Sequence, residues 1–275
     1  MQAEAFFNSI EAQSRRVETP CGGGRMVWRI WGEGAPLVLI HGGAGSWSHW
    51  IRNIPEFHGE RMVIAPDLPG LGDSASPPRP YTPESIAGIA AEGLGQVLPP
   101  GVMFDMAGFS FGGMISGLIA RLHAARVRTL TLMGPSGLGG KFGRMKTPLK
   151  LPLDATPEEL AEVHRYNLLA VMLHNPESVD EYALHMQTVN APKTRILSPE
   201  HALSEKLLNA LKEIPGRVNS IWGEFDIFSP YLEQRREIIA SVHPSAEFHI
   251  IPGAGHWVQF EAAAAVNALL RRFIA

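Results

Sequence analysis

Cysteine is almost missing from this chain. Cys21 stands alone among 275 residues, which excludes an intrachain disulfide and paired-thiol metal sites and fits a reducing compartment. It lies among loop glycines and reads as structural or incidental. An excess of one charge is missing too. The 24 basic and 27 acidic side chains leave a formal net charge of −3, so no basic field argues for nucleic acid or an anionic membrane surface. No apolar run approaches the about 18 residues that a membrane-spanning helix needs. The N-terminal stretch MQAEAFFNSIEAQSRRV carries acidic residues and no long apolar core, so it is not expected to act as a secretory signal. Fixed-period repeats and low-complexity tracts are absent as well. These gaps leave a soluble globular chain, expected in the cytoplasm, with no nucleic-acid and no membrane partner. Its length suits a large single domain or a core plus a lid.

What is present alternates. Residues 14–31 read as a β-hairpin around the turn-forming cluster Thr19-Pro20-Cys21-Gly22-Gly23-Gly24. Apolar runs at 36–41 and 61–67 read as strands buried on both faces. A helix is predicted from about Pro83 to Val97, with proline suited to the first turn. The stretch VMFDMAGFSFGGM at 102–114 reads as a strand, a tight turn and a helix from Met114 to His123. Further strands are expected at 126–133, 217–222 and 246–251, and a last helix at about 260–274. Between 139 and 213 the pattern is mostly helical with repeated prolines. Buried strands alternating with helices argue for an α/β fold with a mainly parallel sheet. The helical interruption lies between two core strands, so it reads as an inserted cap. The expected division is a core of 1–138 and 214–275 and a cap of 139–213.

In a parallel sheet, chemistry collects beyond the carboxyl ends of the strands. The residues standing there include His41-Gly42-Gly43, Asp67, Ser110, Pro135-Ser136, Asp226 and His256. Ser110 is the centre of Gly108-Phe109-Ser110-Phe111-Gly112, a G-x-S-x-G turn that exposes a hydroxyl in strained backbone geometry. A serine hydroxyl needs a base at neutral pH. Of the 11 histidines, His256 follows the last strand, after Gly255, and is the candidate base. Its activity should therefore fall on the acid side near the ordinary histidine value of roughly 6–7. Asp226 is the candidate carboxylate that fixes the imidazole, with Glu224 as the alternative. The order Ser, Asp, His is that of α/β-hydrolases rather than of chymotrypsin or subtilisin. Oxyanion donors are expected at the amides of Phe111, opening a helix, and Gly43. His41 reads as a brace for that loop.

The chain resembles an α/β-hydrolase fold enzyme with a helical cap. The matching stretches are H-G-G at 41–43, D-L-P-G-L-G-D-S at 67–74, G-F-S-F-G-G at 108–113, W-G-E-F-D at 222–226 and G-H-W-V-Q-F-E at 255–261. They cover nearly the whole chain except the cap. The resemblance implies a mainly parallel sheet flanked by helices, a structural role for Asp67 and Asp73, and no cofactor or metal. Relatives that use aspartate at the elbow, the haloalkane dehalogenases and epoxide hydrolases, are disfavoured by Ser110. Two chemistries remain: hydrolysis of a carboxylic ester, and carbon–carbon cleavage of aromatic ring-fission products. The tail from Gly255 to Glu261 is similar to the carbon–carbon hydrolases, which carry a tryptophan after the histidine. They also usually hold the substrate carboxylate with a cap arginine, and neither Arg165 nor Arg195 can be matched to that position, so the ester reading leads. A ligand receptor on the same fold is the non-enzymatic alternative.

The expected partner is a small molecule, medium-sized and apolar or aromatic. Gly42, Trp257, Met145 and Met172 are the candidate substrate contacts, the methionines because an adaptable thioether suits an apolar pocket. A homodimer is left open. A nucleotide site fails at 135–141, where proline opens the stretch and Phe142 stands in place of Ser or Thr. A metal hydrolase has no H-E-x-x-H and no paired cysteines behind it.

Overall fold

The computed structural model describes residues 2–143, 146–150, 154–197 and 201–275. Its strands are β1 (Arg15–Cys21), β2 (Gly24–Trp31), β3 (Ala35–Ile40), β4 (Arg61–Pro66), β5 (Phe104–Phe109), β6 (Val127–Met133), β7 (Arg217–Gly223) and β8 (Glu247–Ile251). They form one sheet in the order β1-β2-β4-β3-β5-β6-β7-β8. The hairpin β1–β2 and the β2–β4 pair are antiparallel. Every pair from β4 through β3, β5, β6 and β7 to β8 is parallel.

Ten helices accompany the sheet among the described residues: α1 (Gln2–Ala12), α2 (Ile54–Phe57), α3 (Pro83–Val97), α4 (Phe111–Leu122), α5 (Pro157–Val171), α6 (Glu181–Asn190), α7 (Lys206–Leu211), α8 (Leu232–Ala240), α9 (Val258–Glu261) and α10 (Ala263–Phe273). The apolar run of β3 explains why both sheet faces are covered. Successive strand residues point to opposite faces, and here Val38 and Ile40 enter one buried cluster while Leu37 and Leu39 enter the other. The first cluster takes in α3, α4 and α7. The second takes in α1, α6, α9 and α10.

Helix α3 starts as expected at Pro83, with a reciprocal cap between Thr82 and Ser85. Helix α4 begins at Phe111, three residues before the expected Met114, because the chain turns directly from Ser110 into helix. The expected last helix is two pieces. Ala262 leaves helical geometry at φ −124° and ψ 46°, so α9 buries Val258, Gln259 and Phe260 while α10 buries Val266, Leu270 and Phe273. Helix α1 was not anticipated, although its buried Ala3, Phe7 and Ile10 recur at helical spacing.

The segment 139–213 packs in two directions. Leu168 of α5 and Ala183 and Met186 of α6 join the cluster that holds Phe109 and Trp257. Leu207, Ala210 and Leu211 of α7 join the cluster under α4. Among the described residues, no helix is long and apolar enough to cross a membrane.

Candidate active site

Ser110 stands between the last residue of β5 and the first of α4 with φ 55° and ψ −120°, a conformation that costs a non-glycine residue energy and persists only where the surroundings impose it. Here they do. The Ser110 amide donates to Met133 O at 2.9 Å, and its carbonyl accepts from the amides of Gly113 (2.9 Å) and Ser136 (3.1 Å). The flanking glycines are required by contact. A Cβ on Gly108 would lie 2.1 Å from Ser116 Oγ, and one on Gly112 would lie 2.1 Å from His41 O.

Three side chains meet at this turn. His256 Nε2 lies 2.9 Å from Ser110 Oγ, and His256 Nδ1 lies 2.8 Å from Asp226 Oδ2. An ionised carboxylate can only accept, so Nδ1 carries the proton and Nε2 is free to accept from the serine hydroxyl. Asp226 Oδ1 accepts from the Phe228 amide at 2.9 Å. His256 is 3% exposed and Asp226 2%. Glu224, the alternative acid, instead accepts from the Gly253 amide at 2.9 Å and does not face the imidazole. His249 pairs with Glu247 in β8.

The glycine loop is fixed by two buried histidines. His41 Nε2 accepts from the Leu68 amide at 2.8 Å, so its Nδ1 carries the proton and donates to Gly42 O at 2.7 Å. His49 Nδ1 accepts from the Gly42 amide at 3.2 Å. Both backbone groups of Gly42 are therefore used by these two histidines. Burial holds His41 below the ordinary histidine value despite the opposing charge of Asp67. Burial, with His41 and His256 nearby, holds His49 well below it. Neutral rings are what these hydrogen bonds need. The amides of Gly43 and Phe111 have no acceptor among the described residues, and Ala44 next to Gly43 turns the loop at φ 53°. His49 was not singled out in the sequence. Its position just past the glycine loop was the one available signal.

The remaining expected contacts are placed as follows. Trp257 is 1% exposed, its ring stacks on Phe260 and tilts against His49, and its indole N–H donates to His49 O at 3.0 Å. Met172 packs at the margin of the same apolar cluster, and its carbonyl accepts the Trp257 amide at 2.7 Å. Met145 lies outside the described residues. Phe228, beside the acid loop, sets its ring edge-on to His256 at 4.4 Å, with Phe142 against it at 5.6 Å. Neither phenylalanine was anticipated as part of the site. Arg165 donates to Val179 O at 3.2 Å, and Arg195 donates to the carbonyls of Gly72 and Ser74. Among the described residues, no group of three or more His, Cys, Asp or Glu is arranged to hold a metal ion.

Residues 37–269 match the model of the alpha/beta hydrolase family, and the chain belongs to that family. Its relatives include hydrolases. It is 30% identical over 269 residues to the 2-hydroxy-6-oxo-6-phenylhexa-2,4-dienoate hydrolase of Burkholderia cepacia, covering 89% of each protein. It is 31% identical over 261 residues to the 2-hydroxymuconate semialdehyde hydrolase of Pseudomonas sp. (strain CF600), covering 89% of this chain and 88% of that protein. The fold is shared with a solved meta-cleavage product hydrolase from Pseudomonas fluorescens, at a TM-score of 0.75 and 22% identity over 94% of this chain and 96% of that one. It is shared equally with an esterase from Rhodococcus sp., at a TM-score of 0.75 and 21% identity over 95% and 98%.

Proposed function

We propose that this hydrolase cleaves a carboxylic ester, or a similar acyl bond, of a medium-sized apolar or aromatic small molecule through an acyl-enzyme. The relay from Asp226 through His256 to Ser110 Oγ, with both distances under 3 Å, carries this reading. Ser110 Oγ attacks the acyl carbon as His256 Nε2 takes its proton. The carbonyl oxygen gains negative charge and draws it toward the amides of Gly43 and Phe111, donors that need no rearrangement as charge develops. Asp226 steadies the imidazolium. His256 then returns the proton to the departing alcohol, and water activated by the same imidazole frees the acid from Ser110. The helices α5 and α6 serve as the cap over this site. Phe142 and Phe228 supply an aromatic wall on the side of Asp226.

Ester cleavage is favoured because Arg165 and Arg195, the cap arginines among the described residues, are committed to backbone carbonyls rather than free to hold a dienoate carboxylate. Carbon–carbon cleavage of a ring-fission product is the second reading. It is favoured by the two hydrolases of 30–31% identity described above, which are named for such substrates, and by Trp257 after His256. Steady-state turnover of an activated phenyl ester and of a phenyl-substituted 2-hydroxy-6-oxo-dienoate separates the two. Ester turnover dominating, and abolished by Ser110→Ala, is the expected result. Dienoate turnover dominating would put the second reading first. Inactivity of both proteins with tight binding of a small molecule would make the chain a receptor.

A further inference from the structure

Glu261 has no part in the chemistry above, yet its carboxylate gathers donors from two separate parts of the chain. Oε2 accepts from the amide of Gly255 at 2.6 Å, one residue before His256. Oε1 accepts from the Asn175 amide at 2.7 Å and from Asn175 Nδ2 at 2.9 Å. Both oxygens lie 3.1 Å from the His174 amide. Asn175 Nδ2 also reaches Gly253 O at 2.7 Å. His174 and Asn175 belong to the link between α5 and α6. The same link touches the acid loop, since the His174 ring stacks on Phe225 with centroids 3.9 Å apart and planes 13° from parallel. There is no room to take up slack. A Cβ on Gly255 would lie 2.7 Å from the His174 nitrogen.

We propose that Glu261 is a positioning residue that couples the α5–α6 link to the catalytic base. This rests on the reading of His256 as that base. Hydrogen bonds to an ionised acceptor are short and directional, and here one carboxylate orients the Gly255 peptide and the link together. Displacing the link pulls on the acceptor that aims His256 at Ser110. A substrate seated under α5 and α6 is thereby read at the imidazole, and the effect belongs in kcat rather than in binding.

The test compares wild type with Glu261→Ala, Glu261→Gln, Asn175→Ala and His256→Ala on the same activated phenyl ester. Alongside kcat and KM, the rate of Ser110 labelling by a fluorophosphonate reports the Ser–His pair without ester binding, and thermal melting reports the fold. Glu261→Ala is expected to lower kcat and labelling on the order of 10²-fold, as small misplacements at a reacting centre do, with KM nearly unchanged. Glu261→Gln keeps one accepting oxygen and should fall between it and wild type. Asn175→Ala leaves the backbone donors and should cost about threefold, a share of that same misplacement. A lower melting temperature with unchanged kcat well below it, or an effect confined to KM, overturns the coupling. If Glu261→Ala does not fold, unchanged kcat in both milder variants overturns it equally. His256→Ala distinguishes the two levels. Its retaining activity overturns the base assignment and the coupling with it, whereas its inactivity beside a fully active Glu261→Ala overturns the coupling alone.

Discussion

Asp67 and Asp226 each follow a strand of the sheet, each is buried to within 2% of complete, and each faces a basic side chain. The partner separates them. Asp67 faces Arg29 at 3.0 Å and also accepts the amides of Trp47 and Asp73, both at 2.9 Å. A guanidinium does not release its proton, and Arg29 is further held by Glu11 and Asp73. That site is closed and can only brace the chain where β4 leaves the sheet. Asp226 faces an imidazole whose other nitrogen points at a hydroxyl. Burial alone therefore does not mark a carboxylate for chemistry. On the proposed function, what marks it is a titratable partner with a second contact to the serine hydroxyl.

Exchanging each carboxylate for its amide tests this directly. Asp226→Asn presents an N–H to Nδ1 and favours the wrong tautomer, so kcat on an activated ester should drop about 10³–10⁴-fold with the fold kept. Asp67→Asn should do the reverse. Removing one partner from a buried pair costs about 3–5 kcal/mol, and the lower end is expected because Glu11 and Asp73 still hold Arg29. Urea denaturation and steady-state kinetics on both variants settle it. An Asp67→Asn protein of native stability and lost kcat would reverse the assignment of roles.

The contrast was partly legible in the chain. Asp226 and His256 stand just past apolar runs, and Ser110 sits in a turn pattern whose glycines are demanded by local contacts, so position relative to the strands was enough to name three side chains that meet. The central strands were equally legible, because runs such as PLVLI have to be buried on both faces. Other features depend on partners far away in sequence. Nothing near Asp67 identifies Arg29, which comes from the neighbouring antiparallel strand β2. Glu261 was visible within G-H-W-V-Q-F-E, but its donors at 174 and 175 lie in a segment whose packing depends on the folded sheet. His49 carries no local sign that its ring will accept the Gly42 amide. Helix α1 carries a local signal of its own, since Ala3, Phe7 and Ile10 recur at helical spacing.

The outer end of the Arg29 network gives the finest test. Burial raises the Asp73 carboxyl, but hydrogen bonds from Lys193 and Arg29 outweigh it and bring the group from its ordinary 3.8 to about 2. With the folded value depressed, the unfolded chain takes up the proton first as pH falls. The stabilisation is complete above about pH 4, where both states are ionised, and is lost between there and about pH 2. The two histidines of the glycine loop titrate in a different window. His41 and His49 are also depressed in the folded protein, so their contribution begins to fall as pH drops below the ordinary histidine value of about 6.5. Lys193 is well exposed and bonds Asp73 at 2.7 Å, so Lys193→Ala should cost only about 0.2–1 kcal/mol at pH 7. That difference from wild type should persist through pH 5, where the histidine effect is common to both proteins, and shrink toward zero near pH 2 as Asp73 is neutralised. Urea midpoints measured at pH 7, 5 and 2 read it out. A difference that survives at pH 2 would mean that the lysine acts through the packing of its stem and not through charge, and the network would then end at Arg29.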